Sequence, residues 1–190
     1  MGSSDRRLKG LVVGSGMLIR TEEPDDVDAI AAVVARAFAS DAEARLVAAI
    51  RASSNFVPDW SLVAIIDSNI VGHVMVSYVG LRDSDVERRI PSLSPLAVDP
   101  EVQGRGIGSA LVRAVTERVD TAGEPLIVLE GIPQYYRRFG FEHAVPLGIS
   151  IDLPSWAPAE AAQVLRLSAY DPRIRGRVDY PPAFKAVEDR

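Results

Sequence analysis

The stretch LSPLAVDPEVQGRGIGSALV, Leu93 to Val112, decides how this chain is read. Leu93 to Val98 is a run of strand-type residues, and Asp99-Pro100 then turns the chain. Gln103-Gly104-Arg105-Gly106-Ile107-Gly108 leads into a segment whose apolar residues Ile107, Leu111, Val115 and Val119 recur at helical spacing. Gly123 ends that helix, Pro125 follows it, and Leu126 to Leu129 forms a second strand. Two strands joined through a long helix make a βαβ unit, so they run parallel and the crossover is right-handed.

The junction between strand and helix is an anion cradle. Glycines let the backbone approach a ligand closely, unpaired N–H groups converge there, and the positive end of the helix dipole adds its attraction. Arg105 adds a cation. Other phosphate loops fit less well: no Lys-Ser or Lys-Thr follows the glycines, and their spacing is G-x-G-x-G where a dinucleotide fingerprint needs G-x-G-x-x-G. Pro95 lies inside the first strand, where it lacks a ladder donor. It either starts a short strand or marks a bulge that frees the backbone of Leu96, Ala97 and Val98 for a ligand.

Outward from this unit, strand-like and helical runs alternate without a repeat. A short strand at Leu18–Arg20 precedes a helix opened by Glu23-Pro24-Asp25-Asp26, with Val27, Ile30, Val34 and Phe38 as its stripe. A second helix spans Asp41 to about Arg51 with Leu46 and Ile50 inward, and Asn55 to Asp59 breaks the chain at Pro58. Runs beginning at Leu62 and Ile70, with Ser68-Asn69 between them, form a hairpin. Beyond Gly148 the chain is proline-rich, with one strand at Gln163–Ala169 and an irregular YPPAF at Tyr180. The fold class is therefore α/β (α+β) on a mixed sheet. Residues 17–190 make one domain, and residues 1–16, rich in Gly and Ser, are expected to be a flexible extension.

Composition removes several function classes. The 190 residues carry 21 Lys+Arg against 26 Asp+Glu, a net charge of −5, which argues against nucleic acid or an anionic membrane as partner. With no cysteine and two histidines, neither a thiolate chemistry nor a metal centre is expected. No apolar run approaches the roughly 20 residues of a membrane helix, and a cytoplasmic location is expected.

With Gln103, Gly106 and Gly108 in this strand–loop–helix setting, the chain resembles the Gcn5-related N-acetyltransferases, whose motif is Gln or Arg, two residues, Gly, one residue, Gly or Ala. The likeness runs from about Met17 to Phe141, and the GHV after the hairpin and the closing YPPAF are similar to the YhbS-like bacterial branch. It implies a mostly antiparallel sheet with a splayed central parallel pair, flanked by helices. It also implies that acetyl-CoA is the cosubstrate: the backbone of Leu96, Ala97 and Val98 would pair with the pantetheine arm, and Gln103, Gly104, Arg105, Gly106, Ile107, Gly108 and Ser109 would hold the pyrophosphate.

The family's second signature is a tyrosine four residues before Gly-Phe, and IPQYYRRFGF places Tyr136 there, on a short helix from Pro133 to Gly140. In the family this tyrosine protonates the departing thiolate, and a phenol below its ordinary pKa of about 10 can do so. Tyr135 is assigned to packing. The asparagine many relatives carry before the tyrosine is missing, and Glu130 and Gln134 are the comparable polar residues. Two residues compete for the general base: Glu43 on the second helix and His73 on the hairpin. His143 is expected at the last sheet edge. The implied activity is direct acetyl transfer to a primary amine; a homodimer is one arrangement the sequence leaves open. The rival reading is a non-catalytic acyl-CoA sensor or interaction module, and a nucleotide-binding domain ranks third.

Overall fold

A computed structural model of the chain describes residues 11–13 and 16–187. Of the stretch assigned above to an extension, residues 1–10, 14 and 15 lie outside the described residues. Leu11–Val13 (β1) instead pairs antiparallel with Met17–Thr21 (β2), so that part belongs to the sheet.

The other strands are β3 (Phe56–Ile66), β4 (Asn69–Asp83), β5 (Val86–Val98), β6 (Leu126–Glu130), β7 (Glu142–His143), β8 (Ile149–Ser150), β9 (Ala162–Arg166) and β10 (Gly176–Asp179). The helices are α1 (Val27–Phe38), α2 (Ala42–Arg51), α3 (Ile107–Thr121) and the single turn α4 (Pro133–Tyr136). One sheet runs β1-β2-β3-β4-β5-β6-β9-β7, with β10 beside the far end of β4 and β8 beside β10. Among the described residues β5–β6 and β8–β10 are parallel and the remaining pairings antiparallel. His143 lies on β7 at the sheet edge, as expected.

Strand alternation gives this sheet two apolar faces. On one, Leu62, Val74, Val76, Leu93, Ile127 and Leu129 meet the stripe of α3, whose Ile107, Leu111, Val115 and Val119 are all buried. On the other, Val63, Met75 and Ala97 pack under Ile30, Val33 and Val34 of α1 and Leu46, Val47 and Ile50 of α2. A third cluster joins Val79, Ile90 and Val128 to Ile149, Ile174 and Val178 of the C-terminal third.

Several boundaries differ from the sequence reading for physical reasons. β5 begins at Val86, because Val86, Glu87, Arg88 and Arg89 are exposed and carry no apolar alternation. Pro58 lies within β3 at a register shift between Phe56 and Ser61, an irregularity that tolerates a residue without a donor. The β3–β4 turn is Asp67-Ser68, both with positive φ (48° and 66°), one residue earlier than expected. Short β10, with Val178 its one buried residue, gives no periodic signal. On α1 Val33 takes the inward place expected of Phe38, which is 37 % exposed. Among the described residues, no helix is long and apolar enough to cross a membrane.

Candidate active site

The site begins where the two central strands part. β5 and β6 share a single parallel pair, Ser92 with Val128. From Leu93 to Val98, β5 pairs on its other side with β4 and has no strand partner toward β6. The register of β4 against β5 shifts between Val74 and Val76, opposite Leu93 to Leu96, so Pro95 sits in a bulge. The bulge and the divergence leave the Leu93–Val98 edge open to another hydrogen-bonding chain.

That edge runs into the glycine loop. Asp99 accepts a hydrogen bond from the Glu101 N–H at 3.1 Å and from Arg36 of α1 at 2.6 Å, which fixes the turn. Gln103 folds back, its Nε2 donating to the Val98 carbonyl at 3.0 Å. Gly104 and Gly106 take φ of 77° and 84°, and a side chain at either would point into open space. The first intrahelical bond of α3 runs from Ala110 N–H to Gly106 O. The N–H groups of Ile107, Gly108 and Ser109 precede it and so have no partner within the helix. Arg105 is exposed beside them.

The tyrosine pair closes the other wall. Tyr135 places its hydroxyl over Gly108: a Cβ there would lie 2.6 Å from it, with Val98 and Leu96 side chains at 3.4 and 3.8 Å. The Arg138 guanidinium covers the Tyr135 ring at 4.2 Å. Tyr136 lies over Gly131, where a Cβ would meet its ring at 2.5 Å, and it packs edge-on against Phe141 at 5.5 Å. Burial, and then the neighbouring Tyr135, push its phenol above the ordinary range, so the group holds its proton. The Gly131 turn is itself held: its N–H donates to Ala161 O, and buried Gln163 donates to its carbonyl, both at 3.0 Å.

The sequence pattern of the acetyltransferase (GNAT) domain family matches residues 18–144, two thirds of the chain. The chain belongs to the GNAT acetyltransferase family. Among this GNAT protein's relatives, the "uncharacterized N-acetyltransferase YhbS" of Escherichia coli K12 is 36 % identical over 153 residues, 80 % of this chain and 88 % of the relative. The crystal structure of E. coli YhbS in complex with CoA superposes with a TM-score of 0.80 at 32 % identity, covering 92 % of this chain and 95 % of that one. A GNAT acetyltransferase from Brucella melitensis in complex with acetyl-CoA gives 0.70 at 32 % identity, covering 88 % and 97 %.

The base candidates of this GNAT domain lie on β4 and α2, His73 paired with Ala97 of β5. His73 is fully buried on β4, its Nε2 2.9 Å from Ser61 Oγ and 3.3 Å from Glu22. Ser61 spends its hydroxyl proton on Glu22 at 2.6 Å, so Nε2–H is the donor to Ser61. Arg51 closes the cluster on Glu22 at 2.7 Å. Burial lowers the His73 pKa. Burial would raise that of Glu22, but hydrogen bonds from His73, Arg51 and Ser61 outweigh it and bring it down to about 2. Glu43 is on the first turn of α2 and 6 % exposed. Sequence reasoning missed the Arg36–Asp99 clamp, the hydroxyl of Tyr135 and the Gln163 support of Gly131. Of these, only the second tyrosine carried any local signal.

Proposed function

We propose that this chain is an acetyl-CoA-dependent N-acetyltransferase that transfers the acetyl group directly to a primary amine. The observation carrying this reading is the open β5 edge from Leu93 to Val98, continuous with the unpartnered N–H groups that begin α3. An extended pantetheine arm completes that edge as a strand would, and its pyrophosphate meets the glycine loop from Gln103 to Ser109. The similar proteins whose structures hold CoA and acetyl-CoA support acetyl-CoA as the cosubstrate.

In this reading the thioester carbonyl takes hydrogen bonds from main-chain N–H groups of Leu96 to Val98. A single such donor contributes on the order of 100-fold to rate. The amine nitrogen attacks the carbonyl carbon, the C–S bond breaks, and Tyr136 gives its proton to the leaving thiolate sulfur. With no cysteine in the chain, the acetyl group does not pass through a thiol of the protein. Neither Glu43 nor His73 takes the amine proton here, because both are buried and an incoming amine needs a base it can reach. The chain from Leu11 onward acts as one domain, working in the cytoplasm.

The test is calorimetry with acetyl-CoA, followed by thiol release over a panel of primary amines. Saturable binding with acetyl-CoA-dependent release is expected. No binding at millimolar cofactor rejects the reading, and binding without release from any amine returns the acyl-CoA sensor.

A further inference from the structure

Strand alternation separates two neighbours at the end of β6. Ile127 and Leu129 face α3, while Leu126 and Val128 face the opposite cluster. Glu130 shares the Val128 face, and Gly131, one residue on, lies under the Tyr136 ring. Glu130 is exposed, two residues beyond the Ser92–Val128 pair at which the strands part. It therefore stands at the mouth of the opening, on the side of the sheet away from α3.

A small polar cluster surrounds it. Tyr180, carried in from β10, shares side-chain hydrogen bonds with Glu130 and with Ser92, the residue of β5 that pairs with β6. Its ring stacks on Phe184 at 4.9 Å. Ser77, opposite Ser92 on β4, is fully buried, and its hydroxyl has no partner among the described residues. This part of the face thus carries Ser77, Ser92, Tyr180 and Glu130 where β5 and β6 part. Burial, followed by the charge of Glu130, raises the Tyr180 pKa well above the phenol range. The phenol keeps its proton, and that proton is directed at the carboxylate.

We propose, resting on the acetyl-transfer reading above, that Glu130 is the general base: its carboxylate receives the acceptor as a primary ammonium ion, with Tyr180, anchored on Ser92, as its positioning residue. Glu130 removes one proton from the ammonium, and the freed nitrogen forms the C–N bond through the opening. The C–S bond breaks, Tyr136 protonates the sulfur, and the second nitrogen proton restores Tyr136. Glu130, facing solvent, releases its proton there. Deprotonation of the ammonium at Glu130 and protonation of the sulfur by Tyr136 thus fall on opposite faces of β6, and the acceptor class is a cationic primary amine.

The experiment compares Glu130→Gln, Glu130→Asp and Tyr180→Phe with the unaltered protein on two acceptors, an alkylammonium from the panel and hydroxylamine, which is uncharged at neutral pH. Glu130→Gln is expected to lower kcat for the alkylammonium about 100-fold, and Tyr180→Phe about tenfold, the size of one charged hydrogen bond. Glu130→Asp recovers part of the loss. The fall is smaller for hydroxylamine, its rate corrected for spontaneous thioester cleavage, and calorimetric affinity for acetyl-CoA remains as in the unaltered protein, which shows that the variants fold. Equal losses on both acceptors, or no loss on either, overturn the proposal. If the unaltered protein binds acetyl-CoA and acetylates nothing, the transferase reading has failed separately. Carboxyl carbon-13 NMR of the CoA complex then decides this one: the Glu130 signal, assigned through Glu130→Gln, moves saturably with butylammonium if the site exists, and a static signal overturns it.

Discussion

The hydroxyl of Tyr135 rests on Gly108, so close that a methyl group on that glycine would lie 2.6 Å from it. The contact joins the tyrosine pair to the first turn of α3. Gly108→Ala gains about 1 kcal/mol of helix propensity, yet it forces the Tyr135 hydroxyl off the first turn of α3, beside the Leu96 and Val98 side chains. The expected outcome is weaker acetyl-CoA binding in Gly108→Ala and recovery in Gly108→Ala/Tyr135→Phe, read as a coupling energy in a calorimetric double-mutant cycle. Additive effects would show that the contact does not shape the binding edge.

Tyr136 is protonated near neutrality, as any phenol is, and burial raises its pKa further. Tyr136→Phe keeps the packing on Phe141 and Gly131 and removes only the hydroxyl proposed as the acid. Steady-state kinetics are expected to show a fall in kcat of well over tenfold, with acetyl-CoA affinity unchanged. Undiminished turnover would assign the ring to packing alone.

The Glu22–Ser61–His73–Arg51 cluster makes the fold sensitive to acid. Glu22 titrates at about 2 instead of 4.5. Its contribution, up to about 3 kcal/mol from a shift of this size, is full above the unfolded value and lost as pH falls toward the folded one. His73 acts in the same direction: its pKa is lowered from 6.5, so below that value the unfolded chain binds a proton that the folded chain refuses. Denaturant midpoints are expected to decline from just under pH 6.5 and more steeply below pH 4.5. In Glu22→Gln the lower limb flattens.

Leu111 is fully buried where α3 crosses β4, with its Cδ1 3.0 Å from the place a Gly72 side chain would take. Leu111→Ala is expected to cost about 2–5 kcal/mol of stability, measured by chemical denaturation. A cost under 1 kcal/mol would mean that the helix settles onto β4 and fills the cavity.

The parts of this structure that were legible in the sequence are those encoded locally. Ile107, Leu111, Val115 and Val119 announce α3 by spacing, Gly104 and Gly106 announce a loop open to close backbone approach, and Pro95 offers a bulge or a strand start, of which the register shift shows the bulge. The exposed start of β5 and short β10 carry no such pattern, because tertiary pairing alone makes them strands. The same limit applies at the candidate site. Tyr136 could be located through Gly140 and Phe141 a few residues away. Tyr180 and Ser92, 88 positions apart, meet at Glu130 only after the C-terminal third folds back beside β4. His73 and Glu43 are chemically apt bases by residue type, but the sequence did not reveal their burial.

Because β5 and β6 are paired at one position among the described residues, beside the opening, the pantetheine arm in the proposed reading is the chain that spans the gap. That arm is identical in acetyl-CoA and in the coenzyme A left after transfer, so the grip on substrate and product comes from the same main-chain atoms. Spent coenzyme would then compete with its acetylated form nearly as an equal, and the enzyme's pace would follow the ratio of the two in the cell.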